Sequence, residues 1–389
     1  MFASLTFLSN GYGEDAIAAS LAAEFQRLAP HLKLQAYPTV DEGKAYEGLN
    51  IPILGPRQIM PSGGLLLHSP QLFFKDMRSG FIPMTLRQLY DLRYLKTDCL
   101  VVVGDVYALT LSQLVRCKKR FFYQSIVSAY HGLDEGRHYA NRYTMEYISP
   151  WEKRLIKNSV SQLYVRDAFS AEQLSQEGIK GLALGNPMVD MLAEGSLDPK
   201  FIQGLSRPII ALLPGSRSYK YEALKLMFAA LEQFPEASGL IAWPSGALPQ
   251  IAGWQAQKLA RGHCYQQAHS PQRIILLEGQ FSAILRSAEL VLGTAGTAHE
   301  QAAALGLPVL SFPVLPHYRP AFLENQKRLL ASALSLTTPD PQEIATALRR
   351  LWQEPKLYRE ACEMGKRRMG PGGGSFKIVQ HILSHNFCN

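Results

Sequence analysis

Two glycines and two threonines form a short loop between an apolar strand and a helix: Gly293, Thr294, Gly296 and Thr297. Glycine permits positive φ angles and close backbone approach, and a helix that begins behind such a loop offers unpaired N–H groups and the positive end of its dipole. This combination suits an anion, above all a phosphate. Glu300, about one turn into the helix, is placed to accept two hydrogen bonds from a diol such as a ribose. The stretch predicts a nucleotide half-site; the alternative is an ordinary β-loop-α-β turn.

A second loop of this kind lies near the middle of the chain, where Gly215, Ser216 and Arg217 separate an apolar strand from an amphipathic helix. The backbone can reach a diphosphate there, Ser216 can donate a hydrogen bond, and Arg217 can neutralise a departing nucleoside diphosphate. Because a cation and helix dipoles can do this work without a metal, and the sequence has no DxD motif, we expect no metal and no cofactor. The alternative is a tight turn with a surface arginine.

Acidic residues follow two strands of the first half. Asp105 comes directly after the apolar run CLVVVG, at the carboxyl end where α/β sheets place their ligands. Its alternative role is to cap the helix that starts near Tyr107. Glu14 and Asp15 follow the first strand; they either contact a substrate or simply complement the dipole of the helix that they begin. Neither His131 nor His299, the histidines nearest to motifs, is assigned a catalytic role.

The elements that position these residues form two α/β series, separated by residues 185–206, where the alternation of strands and helices breaks. Continuous apolar strands are typical of parallel sheets. We therefore predict an α/β fold of two Rossmann-like domains, 1–190 and 206–370, facing each other across a cleft, with a C-terminal helix (375–389) that can pack back on the first domain. The predicted strands lie at 2–8, 33–36, 51–54, 99–103, 120–123, 162–165, 181–184, 208–213, 239–243, 273–277, 289–292 and 308–312.

Composition narrows the class of protein. A chain of 389 residues suggests two cores, and 47% hydrophobic with 19% charged residues excludes disorder. Five scattered cysteines without a CxxC pair indicate a reducing compartment. The N-terminus lacks the basic region of a secretion signal, and no stretch approaches the roughly 18 apolar residues of a membrane span.

The net charge of +8 is concentrated in the second half: residues 1–195 carry 20 Lys/Arg against 19 Asp/Glu, and residues 196–389 carry 20 against 13. A basic half suits nucleotide phosphates or an anionic membrane surface. We expect no nucleic-acid partner, because the chain has no RNP motif, zinc finger or regularly spaced basic helix.

Residues 59–96 do not fit the α/β alternation. They combine apolar clusters at 65–67 and 72–74 with five cations: Lys75, Arg78, Arg87, Arg93 and Lys96. Such a pattern favours an interfacial membrane contact or a lipid-tail groove. The alternative is a buried helical excursion covered by solvated charges.

Five segments resemble lipid-A-disaccharide synthase, most closely the group of lipid-A-disaccharide-synthase-related proteins found chiefly in cyanobacteria. They are LGNPMVD (184–190), LLPGSR (212–217), GTAGTAHEQAAALGLPVL (293–310), ENQ (324–326) and RMGPGGGS (368–375). The resemblance implies a GT-B glycosyltransferase. It would move a sugar, with inversion, from a UDP-sugar to a lipid-linked or amphipathic acceptor at the cytoplasmic face of the inner membrane.

The resemblance also implies roles for residues. Asp105 is the base that takes the acceptor's proton, with Glu14 and Asp15 as alternatives, and Asn10, Gly11 and Gly13 form the acceptor-side loop. Gln280 and Phe281 resemble the place that holds the uracil, although Phe281 could instead be a core residue. The UDP-sugar residues are Gly215, Ser216, Arg217, Gln280, Phe281, Thr294, Gly296, Thr297, Glu300, Glu324, Asn325 and Gln326.

This chain departs from the family mainly on the acceptor side. NGYGED (10–15) replaces A-G-E-x-S-G-D, Asn186 replaces a histidine, and Asp105 lacks the proline and asparagine that follow it in the family's acidic motif. The acceptor therefore need not be a lipid A precursor. Leu292 stands where many retaining enzymes carry a second glutamate, which favours inversion. Two alternatives stay open: a UDP-sugar 2-epimerase, and a non-catalytic membrane-associated scaffold that keeps the fold.

Overall fold

The computed structural model describes residues 2–40, 42–58, 78, 80–132, 148–192, 194–244 and 246–385. The chain divides into two compact units: Met1–Met191 together with Gly370–Asn389, and Leu192–Met369.

The first unit is built on a six-stranded sheet whose strands all run parallel. They are β1 (Ser4–Ser9), β2 (Lys33–Pro38), β3 (Lys96–Gly104), β4 (Arg116–Gln124), β5 (Gln162–Val165) and β6 (Gly181–Leu182), in the order β2-β1-β3-β4-β5-β6. The apolar run of β3 is buried because helices cover the sheet. These helices are α1 (Tyr12–Leu28), α2 (Phe81–Tyr94), α3 (Val106–Ser112), α4 (Pro150–Ser159), α5 (Ala168–Gln176) and α6 (Pro187–Asp190), with short 3-10 turns at Lys44–Leu49 and Ala129–Gly132.

The second unit carries an eight-stranded sheet. Its strands are β7 (Ile209–Leu213), β8 (Ser238–Trp243), β9 (Gln255–Lys258), β10 (His263–Gln266), β11 (Arg273–Glu278), β12 (Leu290–Gly293), β13 (Val309–Ser311) and β14 (Leu334–Leu336), in the order β14-β13-β12-β7-β8-β11-β10-β9. The helices are α7 (Pro199–Ile202), α8 (Lys220–Glu232), α9 (Phe281–Ser287), α10 (Gly296–Ala304), α11 (Pro320–Leu330), α12 (Pro341–Gln353) and α13 (Pro355–Met369), with a 3-10 turn at Ala331–Ala333.

The last helix, α14 (Gly374–Ser384), belongs to the first unit and packs on α1 and α6. The Asp190 carboxylate accepts hydrogen bonds from the backbone N–H groups of Gly373 and Ser375, at 2.5 and 2.7 Å. A Cβ on Gly374 would lie 2.6 Å from the carbonyl carbon of Gly185. Two of the motifs behind the family resemblance, LGNPMVD and RMGPGGGS, therefore meet in the fold, where they attach the end of the chain to the first unit.

The expected fold class, α/β with two Rossmann-like parallel-sheet domains, is confirmed. One local expectation was wrong. The segment predicted as a strand at 51–54 forms only an isolated bridge between Ile53 and Ala36. The sequence also gave no sign of the antiparallel hairpin β9–β10, because every residue of β9 is exposed and its QAQK sequence has no apolar alternation.

Within 59–96, residues 59–77 and 79 lie outside the described part of the chain. The described helix α2 has two distinct faces. Met84, Gln88 and Leu92 are buried, whereas Ile82, Leu86, Tyr90 and Tyr94 repeat every fourth position and are 48 to 67% exposed. No helix among the described residues is long and apolar enough to cross a membrane.

Candidate functional site

The second sheet has a topological switch point between β7 and β12. These strands are parallel neighbours, but the chain continues from β7 to β8 on one side and from β12 to β13 on the other. Open α/β sheets bind ligands at the carboxyl ends of strands at such a point. The two loops touch there: Gly215 has a φ of 78°, and a Cβ on it would lie 3.4 Å from the Thr294 carbonyl oxygen. The two predicted phosphate loops are thus brought together.

The helices that leave these loops begin without a side-chain cap. Neither α8 nor α10 has a hydrogen bond from a capping side chain, whereas α12 of the same unit is capped by Asp340. Ser216, Arg217 and Thr297 are exposed beside the two helix starts. Uncapped N–H groups, two helix dipoles and one guanidinium make this edge of the sheet suitable for a phosphate or diphosphate.

Thr294 does not face this anion-binding edge. It is fully buried, and its hydroxyl donates to the Pro214 carbonyl oxygen at 3.1 Å. Its own carbonyl accepts from the Tyr219 hydroxyl at 3.2 Å. Thr294 therefore holds the two loops together.

The other residues predicted to bind the UDP-sugar lie on three helices that begin at the same edge. Glu300 is partly exposed on α10, and Gln280 and Phe281 are partly exposed at the start of α9, which follows β11 two strands away from β7. Phe281 is thus not a fully buried core residue. On α11, Glu324 is exposed and Asn325 is partly buried.

Gln326 lies in the middle of α11 and is 5% exposed. Its side-chain oxygen accepts from Nδ1 of His299 at 3.1 Å and from the Tyr318 hydroxyl at 3.0 Å. His299 is fully buried on α10, and burial lowers its pKa to about 4. The contact between His299 and Gln326 depends on the packing of α10 against α11 and is therefore not visible in the sequence.

The first sheet has its own switch point between β1 and β3, and Asp105 lies there. The Asp105 Oδ1 accepts from Asn10 Nδ2 at 2.7 Å and from the backbone N–H groups of Tyr107 and Ala108 at 2.9 and 3.3 Å. Asp105 is therefore the N-cap of α3, the alternative role expected from the sequence. All three bonds end on Oδ1, so none of them occupies Oδ2.

Glu14 lies close to Asp105 at this switch point. A Cβ on Gly11 would lie 2.7 Å from the Glu14 Oε2, so glycine at this position leaves room for the carboxylate, whereas a Cβ on Gly13 would meet nothing within 4 Å. Glu14 is partly exposed, but protein atoms crowd its carboxyl group. This desolvation, followed by the charges of Asp105 and Asp15, raises the pKa of Glu14 to about 7.

The pKa of Asp105 is also raised by burial, although its hydrogen bonds oppose the shift. Asp15 is 1% exposed, and its carboxylate accepts from the Ser9 hydroxyl at 2.5 Å. Burial thus raises the pKa values of both Glu14 and Asp105, which suits proton transfer.

A further carboxylate, Glu152, was missed. It is 2% exposed on α4 and accepts from Gln124 Nε2 at 2.6 Å, and burial raises its pKa to about 7. Ser149 is the N-cap of α4, and its hydroxyl accepts from the Glu152 N–H at 3.2 Å. Only the packing of α4 shows that the side chain points inward. Among the described residues, no group of three or more side chains is arranged to hold a metal.

No protein-family model matches the sequence, and no curated protein is similar to it. Solved structures do share its fold. The S. aureus MnaA–UDP co-structure aligns with 99% of this chain and 97% of that chain, at a TM-score of 0.60 and 15% identity. A putative UDP-N-acetylglucosamine 2-epimerase from Listeria monocytogenes aligns with 100 and 98% of the two chains, at a TM-score of 0.60 and 16% identity.

The calicheamicin glycosyltransferase aligns with 99% of this chain and 98% of that chain, at a TM-score of 0.61 and 12% identity. The chain has the GT-B fold. At these identities the likeness shows the fold alone, and the finer resemblance to lipid-A-disaccharide synthase stays a prediction.

Proposed function

We propose that this protein is an enzyme that acts on a UDP-sugar. The observation that supports the proposal is the contact between two loops at the β7–β12 switch point, at Gly215 and Thr294. These loops lead into the uncapped helices α8 and α10, and the first of them carries the exposed Arg217. The second unit would hold the diphosphate at these helix starts and the ribose at Glu300. Similar structures were solved with UDP or with UDP-GlcNAc, which supports the choice of nucleotide.

The first unit would supply the proton transfer. Glu14 and Asp105 share one switch point, and both have raised pKa values. By contrast, acidic residues in the first turn of α1 make that helix start unsuitable for a phosphate. We therefore assign nucleotide binding to the second unit and acid–base chemistry to the first.

Two reactions fit this division of roles. The first is 2-epimerisation, in which one proton leaves C2 of the sugar and another returns on the opposite face. It is supported by the similar structures described as UDP-N-acetylglucosamine 2-epimerases and by the presence of two carboxyls suited to proton transfer.

The second reaction is inverting glycosyl transfer, in which Asp105, or Glu14, takes a proton from the acceptor hydroxyl. The motif resemblance supports it. So does the exposed apolar face of α2, which is flanked by the exposed cations Arg87, Arg93 and Lys96 and suits an amphipathic acceptor or an anionic membrane surface. In this version the protein would work at the cytoplasmic face of the inner membrane.

One experiment separates these reactions: UDP-GlcNAc is incubated with the protein in D₂O and followed by NMR, without and with membrane lipids as acceptor. Deuterium at C2 without acceptor would establish epimerisation. UDP release that requires lipid would establish transfer. If UDP-GlcNAc neither binds nor changes while vesicle binding persists, the protein is a non-catalytic scaffold and the proposal is wrong.

A further inference from the structure

Gln326 has an orientation that its neighbours impose. The side-chain oxygen accepts from His299 Nδ1 at 3.1 Å and from the Tyr318 hydroxyl at 3.0 Å, and the residue is 5% exposed. An amide whose oxygen is held by two donors must direct its NH₂ group to the other side.

That NH₂ group faces the start of α10. Nε2 lies 3.2 Å from the place that a Cβ on Gly296 would take, and Gly296 is the first residue of this uncapped nine-residue helix. Among the residues that the structure describes, Nε2 has no hydrogen-bond partner. A donor without a protein partner, on a side chain that is otherwise buried and directed at a helix N-terminus, indicates an anionic acceptor that binds there.

His299 holds the same helix start from the inside. Its Nε2 accepts from the Ala295 N–H at 3.4 Å, so the ring proton lies on Nδ1, which faces Gln326. Burial lowers the pKa of His299 to about 4, and the ring therefore stays neutral at pH 7 and keeps this tautomer. Gly293 leaves the space for the ring, because a Cβ there would lie 2.5 Å from Nε2.

We propose that Gln326 donates from Nε2 to a phosphate oxygen bound at the N-terminus of α10, and that His299 and Tyr318 are positioning residues that hold the amide in this orientation. This inference rests on the proposed function and sharpens it, because it assigns Gln326 to the diphosphate instead of the donor sugar.

The test is calorimetric titration of UDP at pH 8 into the wild type and into Gln326→Glu. The glutamate keeps an oxygen for His299 and Tyr318 but replaces the donating NH₂ by a second oxygen. We expect the Kd for UDP to rise at least about tenfold, because a donor to a charged acceptor is lost and an oxygen faces the phosphate. Uridine, which lacks the phosphates, should bind both proteins equally. A Gln326→Glu protein that binds UDP like the wild type, or that loses UDP and uridine affinity equally, overturns the assignment.

The positioning role is tested by Tyr318→Phe, which removes one of the two donors that hold the amide oxygen and leaves only His299 to orient the amide. Tyr265→Phe is the matched control: Tyr265 is buried in the same unit, and its hydroxyl donates to the Pro249 carbonyl oxygen at 2.7 Å. We expect the Kd for UDP to rise severalfold in Tyr318→Phe and to stay at the wild-type value in Tyr265→Phe. Equal affinities in the two variants overturn the positioning role. Tyr318→Phe also decides the phosphate assignment if the buried carboxylate of Gln326→Glu prevents folding.

Inorganic pyrophosphate, titrated in parallel, distinguishes this inference from the proposed function. If the wild type binds pyrophosphate in a Gln326-dependent way but does not bind UDP, the anion subsite stands and the proposed UDP-sugar function is wrong. If the wild type binds neither, both are wrong.

Discussion

Replacement of Asp105 separates the chemistry of its carboxylate from its role as a helix cap. In Asp105→Asn, the amide oxygen can still accept from Asn10 and from the backbone N–H groups of Tyr107 and Ala108. We expect the free energy of unfolding to fall by less than about 1 kcal/mol, because asparagine caps helices as well as aspartate. Asp105→Ala loses the cap, about 0.5–2 kcal/mol, and leaves the Asn10 donor unpaired, about 1–3 kcal/mol, so we expect a loss of about 1.5–5 kcal/mol.

Both variants lose the proton-accepting group, and we expect turnover of UDP-GlcNAc to fall about 10²- to 10⁴-fold in each. Their affinity for UDP should stay that of the wild type, because Arg217 and the starts of α8 and α10 belong to the second unit. Urea unfolding, calorimetry with UDP and NMR of UDP-GlcNAc conversion provide the three measurements. Wild-type turnover in Asp105→Asn would refute the role as base. If Asp105→Asn and Asp105→Ala lost the same free energy of unfolding, the hydrogen bonds that Asp105 accepts as the cap of α3 would not contribute the stability assigned to them.

Glu300→Ala should weaken UDP binding by at least about 1.5–3 kcal/mol in calorimetry, the value of a charge-assisted hydrogen bond, and an unchanged affinity would remove Glu300 from the site. The pKa of Glu14 is raised from 4.5 to about 7 on folding, so the unfolded chain loses this proton first and stability falls as pH rises from about 4.5 to 7. Glu14→Gln should therefore be more stable than wild type at pH 8, by up to about 3 kcal/mol, but not at pH 4; a pH-independent difference in urea unfolding would contradict this. The double variant Leu86→Ser/Tyr90→Ser should reduce co-sedimentation with phosphatidylglycerol vesicles, and undiminished co-sedimentation would exclude α2 as the membrane contact.

The sequence predicted the fold class because its strongest signals are local. The conformation of each element can be predicted from its own residues, as for the apolar strand CLVVV, the glycine loops and the amphipathic helices. The alternation of these elements indicates parallel sheets. The hairpin β9–β10 was not predicted because its first strand is polar and exposed. Only the hydrogen bonds to β10 define β9 as a strand.

The candidate site could be located from the sequence only in part. The loops at Gly215 and Gly296 could be predicted because each has glycine between an apolar strand and a helix, which is a pattern of neighbouring residues. The buried carboxylate of Glu152 and the link between His299 and Gln326 could not, because each joins elements that are distant along the chain. Thr294 shows the converse: its type fits a phosphate loop, but the packing turns its hydroxyl inward to the Pro214 carbonyl oxygen.

The central claim is that the second unit binds UDP at the β7–β12 switch point, and calorimetric titration of UDP into the wild type and Arg217→Ala tests it most directly. We expect one saturable site in the wild type and a Kd at least about tenfold weaker in the variant, because a charge-assisted contact to the diphosphate is lost. Absence of binding to the wild type at about 1 mM UDP, or equal affinity in the two proteins, would contradict the claim.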